Sequence, residues 1–328
     1  MSNPDPNDNS EFLRNLAPRT QIIMAEWVPE PPAQYPPVAP PARRRVWLPL
    51  GLFVATCLST LLAGSAEFGL SHLQELGPAE GLKLALLEGL KYALPVMTIL
   101  VFHEMGHFLQ ARRYGVYASY PFFIPMPISP LGTFGAVIAM DARMGDRKAL
   151  FDIGISGPLA GLVPTLVFCV VGLKLSKVVP APEVPGGLTI GAPLLFQQIS
   201  AWVLEPLQRG YVVDLHPMAF AGWVGLLITA INLIPVGQLD GGHVLYALLR
   251  TKAHRVATLL LLGAVAGVIM FGLYGWTLML VLLMFMGPIH PPTANDNVPL
   301  GRWRILLGWL TLSFIVIGFT PTPIVAFN

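Results

Sequence analysis

Charge and cysteine are both scarce in this sequence of 328 residues. Asp, Glu, Lys and Arg make up 12% of the chain, whereas soluble domains usually carry about 25%. Apolar residues make up 54%, and the mean hydropathy is +0.63, which predicts a polytopic membrane protein. The net charge of +2, without a basic stripe that alternates with aromatic residues, gives no indication of a nucleic-acid partner. The two cysteines, Cys57 and Cys169, lie in apolar runs and are interpreted as buried apolar residues.

The first 45 residues lack an apolar run and hold five acidic residues, which suits neither a secretory signal nor a transit peptide. They include the proline-rich stretch PEPPAQYPPVAPPARRR, which is typical of an extended, solvated linker. We therefore predict a disordered, proline-rich cytoplasmic tail over residues 1–45. One membrane domain is predicted over residues 46–328.

Apolar runs of about 20 residues, the length that crosses a bilayer, recur along this domain. They lie at about 46–64, 92–111, 150–173, 219–236 and 303–319. A further run, 256–287, is too long for one span and breaks at GLYGW, so we interpret it as two short spans. The sequence thus predicts an all-α polytopic fold with seven transmembrane helices, or six if the last pair forms one re-entrant unit.

The distribution of Lys and Arg gives the expected orientation. Basic clusters precede the first and last runs and follow the second and fourth, and with this number of spans they fall on one side of the membrane. Because basic loops stay in the cytoplasm, the N-terminus is predicted to be cytoplasmic.

Two segments differ from plain spans. Residues 65–91 are interpreted as an external loop with a short amphipathic helix. Residues 116–148 are apolar but contain Pro121, Pro125, Pro127 and Pro130, which exclude a regular helix. Irregular backbone at membrane depth must be buried in protein or line a wet cavity. Within it, GTFGAVIAM is predicted to form a short strand or hairpin arm, a small membrane-associated β element.

Three ionisable residues interrupt the second apolar run in the motif HEMGH, which fits H-E-x-x-H. On a helix, His103 and His107 lie on one face, so both imidazoles can bind one metal ion. Glu104 lies between them and can reach the water that such a metal activates. Ionisable groups inside a span are rare and usually functional. The alternative is a helix whose histidines bond to neighbouring carbonyls, and it would require several buried partners.

A catalytic zinc takes three protein ligands and leaves one position open. Asp240, in NLIPVGQLDGGH, is the best candidate for the third ligand, because span counting places it at the inner end of the fourth run. That is the same side of the membrane as the inner half of the second run. His243 is a rival ligand, whereas the remaining histidines are interpreted as loop residues: His72, His216, His254 and His290.

HEMGH within a span, followed two spans later by N-x-x-P and LDGG, resembles the site-2 protease family of intramembrane zinc metalloproteases (peptidase M50). PLGTFGAVI and ISGPLAG are similar to segments of its members, and NLIPVGQLDGG resembles the branch with the plant chloroplast EGY-type proteases and related bacterial proteins. The likeness covers a core of about residues 88–250. Residues 174–217 are too few for the PDZ domain that many bacterial relatives carry.

The resemblance implies one Zn2+ per chain, bound by His103, His107 and Asp240, with Glu104 as the general base. It implies that Asn232 positions the substrate or the oxyanion. Four residues of the β element are similar to a strand that binds substrate: Gly132, Thr133, Phe134 and Gly135. For Gly157 and Gly161 of GPLAG, close helix packing is the preferred interpretation.

The predicted function is hydrolysis of peptide bonds in or near the transmembrane segments of single-span membrane proteins. The expected location of the multi-pass protein is a bacterial inner membrane, with the N-terminus and the active site toward the cytoplasm. One alternative is a catalytically silent relative that acts as a membrane chaperone or docking protein. A metal transporter is the other, although the sequence has one compact ligand cluster and no inverted repeat.

Overall fold

Helices make up most of the protein in a computed structural model that describes residues 46–140, 145–181 and 188–326. The tail predicted over residues 1–45 lies outside this part of the chain. The α-helices are α1 (Trp47–Leu76), α2 (Pro78–Arg113), α3 (Arg147–Leu175), α4 (Leu194–Val203), α5 (Pro217–Asn232), α6 (Asp240–Leu249), α7 (Lys252–Phe271), α8 (Thr277–Met286) and α9 (Arg302–Gly318). The strands are β1 (Phe122–Met126), β2 (Gly132–Val137), β3 (Lys177–Pro180), β4 (Leu188–Ile190), β5 (Tyr211–Asp214) and β6 (Ile324–Ala326).

Four helices are long and apolar enough to cross a membrane by length and composition, namely α1, α2, α3 and α7. The break predicted at GLYGW is confirmed, because α7 ends at Phe271, the following Gly272 has the left-handed conformation, and α8 begins at Thr277. Two other predicted spans correspond to shorter helices, α5 with 16 residues and α9 with 17. A mostly helical fold with small sheets is therefore confirmed, and the number of six to seven spans stays a prediction.

The prediction of an external loop with a short amphipathic helix over residues 65–91 underestimates the helix, and the loop part is wrong. Helix α1 continues to Leu76 and α2 begins at Pro78, so the segment forms a helical hairpin around Gly77. Gly77 has φ +80°, which glycine adopts without strain, and Pro78 fits the first turn of a helix. Hydropathy falls along this segment because charged residues appear, but the backbone hydrogen bonds of a helix can continue beyond the bilayer.

Helices α3 and α5 pack closely through small residues. A Cβ added to Gly172 would lie 2.1 Å from the backbone nitrogen of Ala219, and one added to Gly222 would lie 2.7 Å from that of Cys169. Helix α5 is mostly buried, as expected for a helix surrounded by protein rather than lipid. Its C-terminal end therefore has a fixed position inside the helical assembly, from which the chain turns into α6.

Strands β1 and β2 form an antiparallel hairpin in which Phe122 pairs with Val137 and Met126 pairs with Gly132. This confirms the β element predicted at GTFGAVIAM. The hairpin is attached to α1, since the Ser59 hydroxyl donates a hydrogen bond of 2.6 Å to the carbonyl of Gly132. The hydroxyl of Tyr92 on α2 donates to the carbonyl of Leu131 at 2.8 Å.

Gly132 lies in close contact with α1. It has φ +71°, and an added Cβ would lie 2.6 Å from Cα of Thr60. We expect Gly132→Ala to destabilise the protein by about 1–3 kcal/mol, since overpacking forces backbone shifts. Gly135→Ala is the matched control, because Gly135 also has a positive φ (+95°) but nothing within 4 Å of its added Cβ. Thermal unfolding in detergent measures both variants, and equal losses would contradict the role of the close contact.

Candidate metal centre

The two histidines of HEMGH lie on one face of α2 and are both buried. Their Nε2 atoms are 3.3 Å apart, as the spacing of four residues on a helix predicts. Arg112 and Arg113 follow in the last turn of the same helix. The pair therefore lies near the end of α2 that carries the basic residues.

Asp240 is the first residue of α6, and the structure brings its carboxylate to both histidines. Its Oδ2 is 3.1 Å from Nε2 of His103, and its Oδ1 is 3.2 Å from Nε2 of His107. These three residues offer ligand atoms that all lie within 4.8 Å of one another. The structure thus places Asp240 beside the two histidines, whereas its side of the membrane and its role as a ligand stay predictions.

Glycines after Asp240 allow α6 to begin at this point. A Cβ on Gly241 would lie 1.9 Å from the carbonyl oxygen of Leu233, and one on Gly242 would lie 2.3 Å from that of Gly237. Helix α6 therefore starts directly against the turn that leaves α5. The glycines of LDGG are explained by this close packing, which positions the carboxylate of Asp240.

The ring of His107 is oriented by the backbone of α3. Its Nδ1 lies 2.7 Å from the carbonyl oxygen of Ile153. Since a carbonyl oxygen only accepts hydrogen bonds, Nδ1 carries the proton and Nε2 is directed to the ligand cluster. Such a partner on the second nitrogen is usual for histidines that bind metals.

The charge of Asp240 is stabilised in this site. Burial alone would raise the pKa of its carboxyl, but the positive charge of His107 and hydrogen bonds from both histidines hold that pKa below its ordinary range. A divalent cation would supply positive charge at the same point. Two imidazole nitrogens and one carboxylate also form a donor set that catalytic zinc uses, so these residues fit a zinc ion.

Two glycines of α3 leave room for the histidine rings. A Cβ on Gly157 would lie 2.0 Å from Nε2 of His107. One on Gly161 would lie 3.0 Å from Cβ of His103. The interpretation of GPLAG as a packing motif is confirmed, but the sequence did not indicate that the neighbours would be the two histidines.

Glu104 lines the same cavity as His103, His107 and Asp240, and the volume of this cavity is about 720 Å³. The residue is only 3% exposed. Within the described ranges, no group forms a hydrogen bond with its carboxylate, which therefore remains available to a water or a substrate in the cavity.

Asn232 is the last residue of α5 and also lines the cavity. Its Nδ2 atom lies 3.3 Å from Nε2 of His103. The structure therefore brings this residue, which the resemblance suggested, to the edge of the ligand cluster. Its contact with substrate stays a prediction.

The predicted substrate-binding residues of β2 lie away from the cavity wall. Thr133 is buried, and its hydroxyl donates to the carbonyl of Ile124 at 3.0 Å, so it supports the hairpin. Gly132, Phe134 and Gly135 are also absent from the lining. The cavity is lined instead by the residues that follow, 136–140. The β element thus reaches the site with the end of β2 and its continuation.

His243 lines the cavity and pairs with His290, for which the sequence predicts only a loop residue. His243 lines the cavity, three residues after Asp240 on α6. Its Nδ1 lies 2.6 Å from Nε2 of His290, in the segment that joins α8 to α9. Among the described residues, the compact ligand cluster contains Asp240 and not His243. The spacing DGGH could have indicated a shared helix face, but nothing local indicated the partner 47 residues away.

Comparisons with known proteins agree with this site. A sequence model described as Peptidase family M50 matches residues 91–274. The chain is 36% identical over 261 residues to "Probable zinc metalloprotease EGY1, chloroplastic" of Oryza sativa subsp. japonica, which covers 75% of this chain and 43% of the relative. It is 35% identical over 246 residues to the Arabidopsis thaliana protein of the same name, which covers 71% and 43%.

A third relative, "Probable zinc metalloprotease EGY2, chloroplastic" of Arabidopsis thaliana, is 31% identical over 286 residues, or 84% of this chain and 49% of the relative. The chain thus spans about half the length of the curated relatives it matches. No solved structure matches it.

Proposed function

Because the chain belongs to peptidase family M50, we propose that it is a zinc-dependent membrane endopeptidase that hydrolyses peptide bonds in or beside transmembrane segments. The observation that carries this proposal is the convergence of His103, His107 and Asp240 beside Glu104 in one cavity. Three protein ligands with an accessible fourth position are the arrangement of a hydrolytic metal site, since a structural site would use four protein ligands. The metalloprotease names of the relatives support the same chemistry.

Bound zinc would polarise the scissile carbonyl and lower the pKa of a water molecule toward about 7. The carboxylate of Glu104 takes the proton from this water as its oxygen bonds to the carbonyl carbon. Glu104 then delivers the proton to the nitrogen of the breaking C–N bond, so that an amine and a carboxylic acid are released. Among the described residues, no donor competes for the carboxylate of Glu104, which suits this role.

A substrate helix must unwind before cleavage, since its carbonyls are bonded within the helix. Freed backbone groups are costly in lipid unless the protein supplies partners. Residues 136–140 line the cavity, and β2 pairs along one edge with β1, while Ala118 bridges Met140. We propose that an unwound substrate adds to the other edge through main-chain hydrogen bonds. This assigns substrate binding to residues 136–140, which directly follow the predicted residues Gly132–Gly135.

The protein's location in a membrane is better supported than its orientation, its number of spans or its substrates. Apolar helices and family membership support an integral membrane protein. A count of six to seven spans, a cytoplasmic active site and single-span membrane proteins as substrates are proposals. The relatives are named as chloroplastic plant proteins, so they do not support the predicted bacterial inner membrane.

Of the two alternatives, the transporter would need further ligand clusters along the membrane helices. Within the described ranges, His103, His107 and Asp240 are the one group of this kind. A silent relative would not need Glu104, which has no hydrogen-bond partner in the described part of the chain, beside three candidate metal ligands. The peptidase is therefore the function that the site supports best.

Metal removal tests this function. We expect the purified full chain to bind about one zinc ion, and to lose cleavage of single-span substrate peptides after treatment with a strong chelator. Added zinc should restore cleavage. Asp240→Ala should keep its helical content but bind zinc below one ion per chain, because one of three ligands is lost. Cleavage that persists in metal-free protein would contradict the proposal, and full zinc occupancy in Asp240→Ala would contradict the ligand set.

A further inference from the structure

We propose that His243 accepts a hydrogen bond from the main chain of the substrate, and that His290 is the positioning residue that fixes the required tautomer. The inference rests on the proposed peptidase function and adds a substrate-binding residue to it. It begins from the pair of rings in which Nδ1 of His243 lies 2.6 Å from Nε2 of His290.

The positions of the protons follow from one carbonyl group. Nδ1 of His290 lies 2.6 Å from the carbonyl oxygen of Pro291, which can only accept, so this Nδ1 carries a proton. Burial lowers the pKa of His290 to about 4, which makes the ring neutral and leaves a lone pair on its Nε2. Nδ1 of His243 must therefore donate to that lone pair. A neutral imidazole carries one proton, so with Nδ1 protonated the Nε2 of His243 has a lone pair.

The remaining lone pair of His243 is available to a ligand. The ring lines the cavity with Glu104 and Asp240. Its Nδ1 edge is occupied by His290, whereas no described residue forms a hydrogen bond with its Nε2. In the described ranges, Ser65 Oγ is the one side-chain nitrogen or oxygen atom that is fully buried and has no hydrogen-bond partner. Nε2 of His243 has no such partner either, so it is not fully buried. Nε2 of His243 is therefore accessible to a ligand that occupies the cavity.

His290 itself is held from several sides. The ring of Tyr246 stacks on it with centroids 4.5 Å apart, and the Tyr246 hydroxyl donates to Oδ2 of Asp296 at 2.7 Å. Nε2 of His254 donates to the carbonyl oxygen of His290 at 3.1 Å. His290 is only 2% exposed. A neutral ring fixed in this way keeps the tautomer of His243 constant.

A neutral acceptor serves an unwound substrate. A main-chain N–H that enters the cavity without a partner costs about 1–3 kcal/mol. The two carboxylates in the cavity have other proposed roles, since Asp240 would bind the metal and Glu104 would accept the proton of the water. Nε2 of His243 can accept from a substrate N–H without withdrawing either carboxylate from its role.

Binding of a peptide hydroxamate to the zinc-loaded full chain tests the inference. The probes are an extended apolar peptide hydroxamate and a series in which ester oxygens replace its main-chain N–H groups one at a time. For one position, we expect the replacement to weaken binding to the wild type about tenfold. The same replacement should change binding to His243→Leu less than twofold, and His243→Gln should recover part of the difference, since its amide oxygen can accept.

The positioning role has its own readout. His290→Leu should lose the same N–H discrimination, and His243→Leu/His290→Leu should be no weaker than His243→Leu, because both changes remove one interaction. A purely structural His290 would instead give additive losses. All variants are expected to keep one zinc per chain, so a loss of zinc in His243→Leu would show that His243 is a metal ligand and overturn the inference.

The outcomes separate this inference from the proposed function. A wild type that cleaves substrates but shows no N–H position that depends on His243 overturns the inference alone. A wild type that binds no parent hydroxamate overturns both the inference and the metal site. A wild type that binds the probes but cleaves no substrate overturns the peptidase assignment, on which the inference rests.

Discussion

Glu104→Gln should lower the cleavage rate by about 10²–10⁴-fold while zinc remains at one ion per chain. Gln has nearly the same shape as Glu but cannot take a proton from water at neutral pH. The loss should therefore appear in kcat rather than in the affinity for a substrate peptide, because proton transfer belongs to the chemical step. Zinc should stay bound because Glu104 is not one of the predicted zinc ligands. Zinc analysis and single-turnover cleavage of one peptide measure both quantities.

The matched control is Glu88→Gln on the same helix. The carboxylate of Glu88 forms an ion pair of 2.7 Å with Lys91 on the surface of α2. Exposed pairs of this kind contribute about 0–1 kcal/mol, so Glu88→Gln should cleave like the wild type. Equal rates for Glu104→Gln and the wild type would show that another group acts as the base, and the proposed mechanism would then be wrong.

The ligand cluster could be predicted from the sequence because it depends on two simple rules. Helix geometry places His103 and His107 on one face, and the number of intervening spans decides on which side Asp240 emerges. The first rule uses the periodicity of the helix, and the second uses whether the number of intervening spans is even or odd. Neither rule requires knowledge of side-chain packing. The two rules predict that Asp240 lies near the rings, whereas the distances of 3.1 and 3.2 Å also depend on how α6 packs against the turn that leaves α5.

What the sequence could not predict depends on contacts between distant segments. The position of the cavity along the β element, at 136–140 rather than 132–135, is set by how the hairpin docks on α1 through Gly132. The pairing of His243 with His290 requires the segment after α8 to fold back on α6. The helical hairpin over 65–91 was missed for a different reason, since a membrane-length argument does not limit how far a helix extends into water.

The metal site therefore depends on backbone positions as much as on its ligands. His107 receives its orientation from a carbonyl of α3, and α3 can approach because Gly157 lacks a side chain. Helix α2 contributes to the same contact, since a Cβ on Gly106 would lie 2.4 Å from the carbonyl oxygen of Ser156. With both helices in backbone contact, neither can move to accept a methyl group without opening the site.

Gly157→Ala should for this reason weaken zinc binding by more than about 100-fold, beyond the usual effect of changing a group that only orients a ligand. The added Cβ would overlap the ring of His107 at 2.0 Å from Nε2, so the ring must rotate away from Asp240. Gly161→Ala should have a smaller effect, since its Cβ would lie 3.0 Å from Cβ of His103 and a shift of a few tenths of an ångström relieves the contact. Competition with a chelator of known zinc affinity measures this order.

A control variant is needed to distinguish the displacement of His107 from a general effect of alanine in a membrane helix. A glycine without close neighbours provides it. Gly263 lies in α7 with nothing within 4 Å of its added Cβ. Gly263→Ala should bind zinc like the wild type and gain up to about 1 kcal/mol of stability, because alanine favours helix more than glycine does. Zinc affinities that are equal in the Gly157 and Gly263 variants would mean that the helices separate easily, and that the orientation of His107 does not depend on the contact between α2 and α3.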